Sequence, residues 1–257
     1  VSAGFADRLY LPGGGPVHTL PPVCKLVAVL AFTVVVVATP REHLAAFGGY
    51  LVLLLAVAAV ARVPPGFLAR RLLIEVPFLA FALALPFFAH GERVDVLGLS
   101  LSAEGLWGAW NIVAKGTLGV LASLLLAATT RPHLILGALR SLGMPGILVQ
   151  IAGLMLRYFE VIAAELDRMR IARESRGFQA RHLGHARVVA QSAGALFIRA
   201  YERGERVHLA MLSRGYTGAM PPLGTDGERG GAVPWLIALS LPAAALAVAV
   251  AGWLPVR

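Results

Sequence analysis

Long apolar stretches separated by short polar breaks dominate the first half of the chain and return at its end. One stretch runs from about Pro22 to Ala38 and is closed by Pro40. A second, Leu44 to Ala61, is uncharged throughout and ends before Pro64-Pro65. The third, Leu72 to Ala89, holds Glu75, Pro77 and Pro86, which predicts a kinked helix. Leu106 to Ala128 is the fourth, with Asn111 and Lys115 inside it, and Val233 to Leu254 is the fifth. Crossing a bilayer takes roughly 20 apolar residues, so the pattern predicts five transmembrane helices. Between the fourth and fifth, Thr129 to Ala232 holds most of the charge. There Arg131-Pro132 opens a short helix that stops at Gly143, before Met144-Pro145. Two long helices follow, from about Gly146 to Arg176 and from about Gly184 to Arg214. At 1.5 Å per residue each is about 45 Å long. Their first halves are apolar (Ile147 to Leu156, Val188 to Ile198). Their second halves carry Arg157, Arg168, Arg170 and Arg173, and Arg199, Arg203 and Arg206. Neither is a clean span, and such amphipathic helices lie along or just under a membrane. Gly218 to Gly231, with Pro221-Pro222, reads as a flexible return to the last span.

Composition agrees with the pattern. The chain is 58% hydrophobic and 14% charged, against about 25% charged in soluble domains. The formal charge of +9 reflects topology rather than nucleic-acid binding, because the arginines collect on one side of the spans. With the N-terminus inside, the inner side receives Arg8, Lys25, Arg62, Arg70, Arg71 and everything from Arg131 to Arg229. The outer side keeps Arg41, Arg93 and Arg257, beside the acidic Glu92, Asp95 and Glu104. The positive-inside rule therefore predicts a multi-pass protein of the cell membrane, with its N-terminus and the Thr129 to Ala232 region cytoplasmic and its C-terminus outside. Lys25 followed by Leu26 to Ala38 faintly resembles a signal peptide, but the preceding region would be unusually long, so an uncleaved first span is expected. Cys24 is the only cysteine, which excludes an internal disulfide framework or a cysteine-based zinc site.

Catalytic signatures are missing from the sequence. It has no Gly-x-x-x-x-Gly-Lys-Ser/Thr loop to cradle phosphates, no His-Glu-x-x-His and no Gly-x-Ser-x-Gly. The chain is thus read as a non-enzyme with no cofactor and no metal site. His182 and His185, the one close histidine pair, read as solvated turn residues. Glu75 and Lys115 are ionisable groups in apolar stretches, where an ion path is the functional reading. Their different depths argue against pairing. Structural roles are expected, Glu75 interfacial and Lys115 snorkelling or bonding a neighbouring carbonyl.

The remaining signal is an internal repeat. Ser175-Arg176-Gly177-Phe178 returns thirty-eight positions later as Ser213-Arg214-Gly215-Tyr216. Upstream, Asp167-Arg168 matches Glu205-Arg206, and Ile171-Ala172 matches Leu209-Ala210. Each copy closes a long helix. A single copy would be explained by a left-handed glycine and a cation at the negative end of the helix dipole. Two copies ask for a shared partner surface. Ala172 and Ala210 stand four positions before each arginine, and Met169 and Val207 seven, on the same helix face. A small and an apolar residue before a terminal cation suit a helix end seated in a groove, with Arg reaching a carboxylate or carbonyls. Two equivalent plugs suggest two equivalent sockets, such as a dimer of identical subunits.

Paired x-Arg-Gly helix ends after four spans, with one span following, resemble the transmembrane T component of energy-coupling factor transporters. Arg157-Tyr158 through Gly177, Arg199 to Arg203, Met211 to Tyr216 and Pro16-Val17-His18-Thr19-Leu20-Pro21-Pro22 resemble its cobalt-type (CbiQ) subgroup. The family's usual triplet is Ala-Arg-Gly, from which Ser175 and Ser213 depart. The resemblance implies an all-α integral membrane protein with about five transmembrane helices and long amphipathic cytoplasmic coupling helices between the fourth and fifth. Residues 1–128 would carry the first four spans, 129–232 the coupling region and 233–257 the last span. It further implies two ATP-binding cassette ATPases, one engaged by Arg176 and one by Arg214. A membrane-embedded substrate-binding subunit would rest on the spans, for cobalt or alternatively nickel or a vitamin. The alternative class is a membrane scaffold or lipid-binding protein with basic amphipathic helices.

Overall fold

The computed structural model describes residues 9–13, 15–89, 93–96, 99–178, 186–218 and 231–253. Arg8, His90, Glu92, His182, Gly184, His185, Pro221, Pro222, Arg229, Leu254 and Arg257, named above, lie outside them. The helices are α1 (Pro16–Thr19), α2 (Pro22–Ala38), α3 (Leu44–Val60), α4 (Pro65–Leu72), α5 (Val76–Phe88), α6 (Ala103–Thr129), α7 (Pro132–Ser141), α8 (Gly146–Glu174), α9 (Ala186–Leu212) and α10 (Ala232–Trp253). Between α5 and α6 a hairpin pairs β1 (Arg93–Val96) antiparallel with β2 (Leu99–Ser102), Arg93 opposite Ser102. Hydropathy reads that stretch only as an acidic loop, because four-residue strands are too short to show a period. The chain divides into two compact units, residues 139–226 and residues 7–138 with 227–257.

The larger unit is built on α2, α3, α6 and α10. Phe32 and Val36, Phe47, Tyr50 and Leu54, Leu118, Leu121 and Leu125, and Ala245 form one buried cluster. Phe32 and Tyr50 are fully buried and meet edge to face, with ring centroids 6.0 Å apart. The Tyr50 hydroxyl lies 2.8 Å from Thr39 Oγ1, which is also 2.8 Å from the Val35 carbonyl. Thr39 thereby satisfies the end of α2 and ties it to α3, where a bare polar group would be expensive in lipid.

Two lysines are held at helix ends. Lys25 Nζ donates to the Thr129 carbonyl at the end of α6 (3.0 Å) and to His18 O (3.4 Å). Lys115 Nζ donates to Val37 O in the last turn of α2 (2.8 Å). Both ammonium groups sit on carbonyls that their helices leave without a partner, where the dipole favours a cation. The carbonyl alternative for Lys115 is the one observed. At the end of α3, Arg62 takes a left-handed φ of +56°. The Val63 and Arg62 N–H groups close on Ala58 O and Ala59 O before Pro64-Pro65 ends the helix.

The third apolar helix begins at Pro65, seven residues before the apolar stretch does. Proline is favoured in a first helical turn, and Arg70 and Arg71 are carried in the last turn of α4. A 3-10 turn, Leu73–Glu75, then joins α4 to α5. There Val76 N–H bonds Leu73 O, and Pro77 has no N–H to continue the α-helical ladder. The predicted irregularity is a change of winding. Against α5 lies α6, capped by Ser102 Oγ accepting from Gly105 N–H. A Cβ at Gly105 would stand 2.7 Å from Pro86 Cα, so only glycine lets the two helices come this close.

By length and hydropathy, Pro65–Phe88, Ala103–Thr129, Gly146–Glu174 and Ala232–Gly252 are each able to cross a membrane, while α2 and α3 are shorter apolar helices. The inclusion of α8 differs from the reading of it as no clean span. Arg157 and Glu160 are the only charges in its first eighteen residues, and its formal charges lie mostly beyond them.

Candidate functional site

In the unit of residues 139–226, α8 and α9 pack as an antiparallel pair. Their meeting point is lined by Val161, Ile162 and Glu165 from α8 and by Leu196, Arg199, Ala200 and Arg203 from α9. Glu165 accepts from Arg199 across the pair and from Arg168 on its own helix, both at 2.6 Å. Farther along, Gln150 near the start of α8 donates to the Tyr216 hydroxyl just past the end of α9. Applying the thirty-eight-residue repeat to this crossing turns Val161, Ile162 and Glu165 into Arg199, Ala200 and Arg203. The helices therefore cross at repeat-equivalent positions and are related by an approximate two-fold axis through the crossing.

That symmetry fixes where the two Ser-Arg-Gly ends stand. Arg214 lies at the level of Gln150, about 26 residue rises from Arg176, so the two arginines sit at opposite ends of the pair, roughly 40 Å apart.

The two ends are the same to the level of single hydrogen bonds. Gly177 has φ +77° and Gly215 φ +83°. At the first, Phe178 N–H bonds Arg173 O and Gly177 N–H bonds Glu174 O; at the second, Tyr216 N–H bonds Met211 O and Gly215 N–H bonds Leu212 O. Each is a Schellman ending, which closes the last carbonyls and frees the next residue to leave the helix axis. Ser175 Oγ donates to Ala172 O and Ser213 Oγ to Ala210 O, each at 3.1 Å. The serine hydroxyls are thus spent on their own helices. Exchanging either for alanine would leave the ending's backbone bonds intact, so the serine departure from Ala-Arg-Gly changes little in shape.

Exposure matches position for position between the two ends. Ala172, Ser175, Arg176 and Gly177 are exposed, as are Ala210, Ser213, Arg214 and Gly215, while Met169 and Val207 are half-buried. Among the described residues neither Arg176 nor Arg214 makes an ion pair. What sequence reasoning missed is the anchoring of Tyr216, the residue after the second glycine. Tyr216 is half-buried, bonded by Gln150 and edge to face with His208 at 6.5 Å. Its signal was the aromatic that follows glycine in both copies, Phe178 and Tyr216. Glu165 was missed too, since one acid in a helix of mixed charge looks like surface charge. Chemically, the arrangement offers two equal cationic tips backed by small and apolar side chains. Among the described residues no three His, Cys, Asp or Glu side chains gather as metal ligands.

Comparison with known proteins gives the same direction. The family model described as CbiQ, cobalt transport protein, matches residues 13–223. The cobalt transport protein CbiQ of Rhodobacter capsulatus is 31% identical over 196 residues, covering 74% of this chain and 76% of that one. The energy-coupling factor transporter transmembrane protein EcfT of Thermosediminibacter oceani is 27% identical over 226 residues, 81% and 83% of the two chains. An uncharacterized protein of Methanocaldococcus jannaschii is 29% identical over 158 residues. That match covers 58% of this chain, and the chain spans about half (54%) of the archaeal relative's length.

Proposed function

This chain belongs to the CbiQ cobalt transport protein family, and from that premise we propose that it is the energy-coupling transmembrane component of an ATP-driven importer. Residues 1–128 carry the first four spans, 129–232 form the coupling region, and 233–257 form the last span. Arg176 seats in one ATP-binding cassette ATPase and Arg214 in a second, each followed by its glycine and backed by Ala172 and Met169 or by Ala210 and Val207. Approach of the two ATPases on binding ATP would move α8 and α9, and the motion would pass to a separate membrane subunit that binds the substrate. Cobalt is the substrate suggested by the names of the family and of the Rhodobacter relative; nickel or a vitamin fits the same coupling chemistry. Hydrolysis and substrate capture belong to other chains in this reading.

One observation carries it: two helix ends with matching hydrogen bonds, related by an approximate two-fold axis. A pair of helix caps needs no such symmetry, whereas a dimeric partner does. A lipid-binding scaffold would be served by basic helices with any ending. The direct test is native mass spectrometry of the chain purified with its co-expressed ATPases. Two ATPase copies per chain are expected; one copy, or none, overturns the reading.

Orientation is part of the proposal. The arginine distribution puts the coupling region in the cytoplasm and the β1–β2 hairpin outside. With Cys24 replaced, Asp95→Cys should react with an impermeant thiol reagent in intact cells, and Thr225→Cys should react only after lysis. The opposite pattern would invert the topology.

A further inference from the structure

The 3-10 turn between α4 and α5 holds a second feature that the coupling reading does not use. Glu75 is only 7% exposed although it stands in the apolar part of the chain. Its Oε2 accepts from Thr117 Oγ1 of α6 at 3.1 Å, which holds the carboxyl in place. Its Oε1 is buried and has no hydrogen-bond partner among the described residues. Gly116 leaves room in front of that oxygen, since a Cβ there would come within 3.1 Å of it. Beside the carboxyl opens a cavity of about 300 Å³, lined by Ile74, Phe78, Leu79, Ile112, Val113 and Val120. This volume is at the lower end of the ~300–1,000 Å³ usual for sites that hold small molecules.

A buried acceptor without a donor is costly, and an apolar wall beside it selects a ligand that is apolar except at one end. The surroundings define that end. Arg70, exposed, and Arg71, whose guanidinium lies 4.6 Å over the Phe67 ring, occupy the last turn of α4. Glu75 follows them by one turn, just past the boundary between polar and apolar residues, where headgroups meet acyl chains. A cation-poor but acceptor-bearing pocket, one turn past the arginines that close α4, complements a zwitterion with a primary ammonium and a phosphate.

We propose that this pocket binds a phospholipid whose headgroup ends in a primary ammonium. The acyl chain lies along the Phe78–Val113 wall, the ammonium donates to Glu75 Oε1, and the phosphate lies at the level of the arginines in the last turn of α4. Phosphatidylcholine has the same phosphate and chains but a quaternary ammonium that cannot donate a hydrogen bond, so the two lipids separate the contribution of Glu75 from plain acyl burial. The inference does not depend on the ATPase reading and survives its failure.

The test is native mass spectrometry of the purified full chain from nanodiscs of equimolar phosphatidylethanolamine and phosphatidylcholine. Retained lipid should favour phosphatidylethanolamine by ~10-fold, the scale of one hydrogen bond to a charged group. Glu75→Gln, which keeps the side chain's size, should bring the ratio close to one. Val113→Trp, which fills the cavity, should remove bound lipid of both kinds. Equal retention by the wild type, an unchanged preference in Glu75→Gln, or photo-crosslinking from Phe78 to a protein helix in place of lipid would each overturn the proposal. Should Glu75→Gln fail to fold, the wild-type ratio and the Val113→Trp loss still decide it.

Discussion

Reversing both helix-end charges, Arg176→Glu together with Arg214→Glu, should strip the chain of its ATPases while leaving its own thermal stability nearly unchanged. Two energy scales make this decisive. An exposed cation at a helix C-terminus contributes only about 0.3–1 kcal/mol to its own helix. Truncating or reversing one partner of a buried, hydrogen-bonded charge pair at an interface costs about 2–5 kcal/mol. Capping alone therefore predicts slightly lower stability with full assembly, and docking predicts the opposite. Each single variant should weaken capture of the ATPases, and the double variant should abolish it, because in the proposed assembly the two tips share one partner dimer. Pull-down of co-expressed ATPases, beside melting of the isolated chain, is the measurement. If all three variants hold the ATPases at wild-type stoichiometry, the Schellman endings are only endings and the coupling role is wrong.

The second large effect is expected in the other unit and on the other observable. Phe32 is fully buried against Tyr50 where α2 and α3 meet. Phe32→Ala should lower stability by about 3–5 kcal/mol, since neighbouring helices are too constrained to close the space. Tyr50→Phe removes only the hydroxyl. Thr39 keeps its bond to Val35 O, so a loss of about 0.6 kcal/mol is expected, typical of a hydrogen bond between membrane helices. Melting of the two variants in one detergent should rank them in that order. A Phe32→Ala protein as stable as Tyr50→Phe would mean that the aromatic cluster contributes little to the bundle.

Much of this architecture was legible because its signals are local. Pro22 and Pro132 start helices, and Gly143, Gly177 and Gly215 end them, whereas the start at Pro65 was hidden because Pro64-Pro65 read only as the end of the preceding span. The all-α membrane class follows from apolar length. The two Ser-Arg-Gly ends were legible for the same reason, since glycine at that position announces a left-handed ending wherever it lies. What stayed hidden depends on contacts between distant segments. Lys25 reads as an inner-side topological charge until its 3.0 Å bond to Thr129 O places it under α6. Glu165 reads as one acid among many arginines until α9 brings Arg199 to it. Glu75 was expected at an interface, but its burial depends on Gly116 and Thr117, some forty residues away. The hairpin of residues 93–102 was missed because pairing, not hydropathy, defines so short a strand.

The crossing of α8 and α9 has a consequence for what the chain can tolerate. Each Ser-Arg-Gly tip stands about 13 residues, roughly 20 Å, beyond the two-fold point, so the pair works as a balance with equal arms. A point substitution along an arm changes one contact. Inserting a single residue between Glu165 and Arg176 would instead swing that tip by about 100° and lengthen its arm by about 1.5 Å, while the Arg214 arm stays as it was. On the proposed docking, arm length should matter more than amino-acid identity along the arm, and insertions or deletions should be tolerated only when both arms change together.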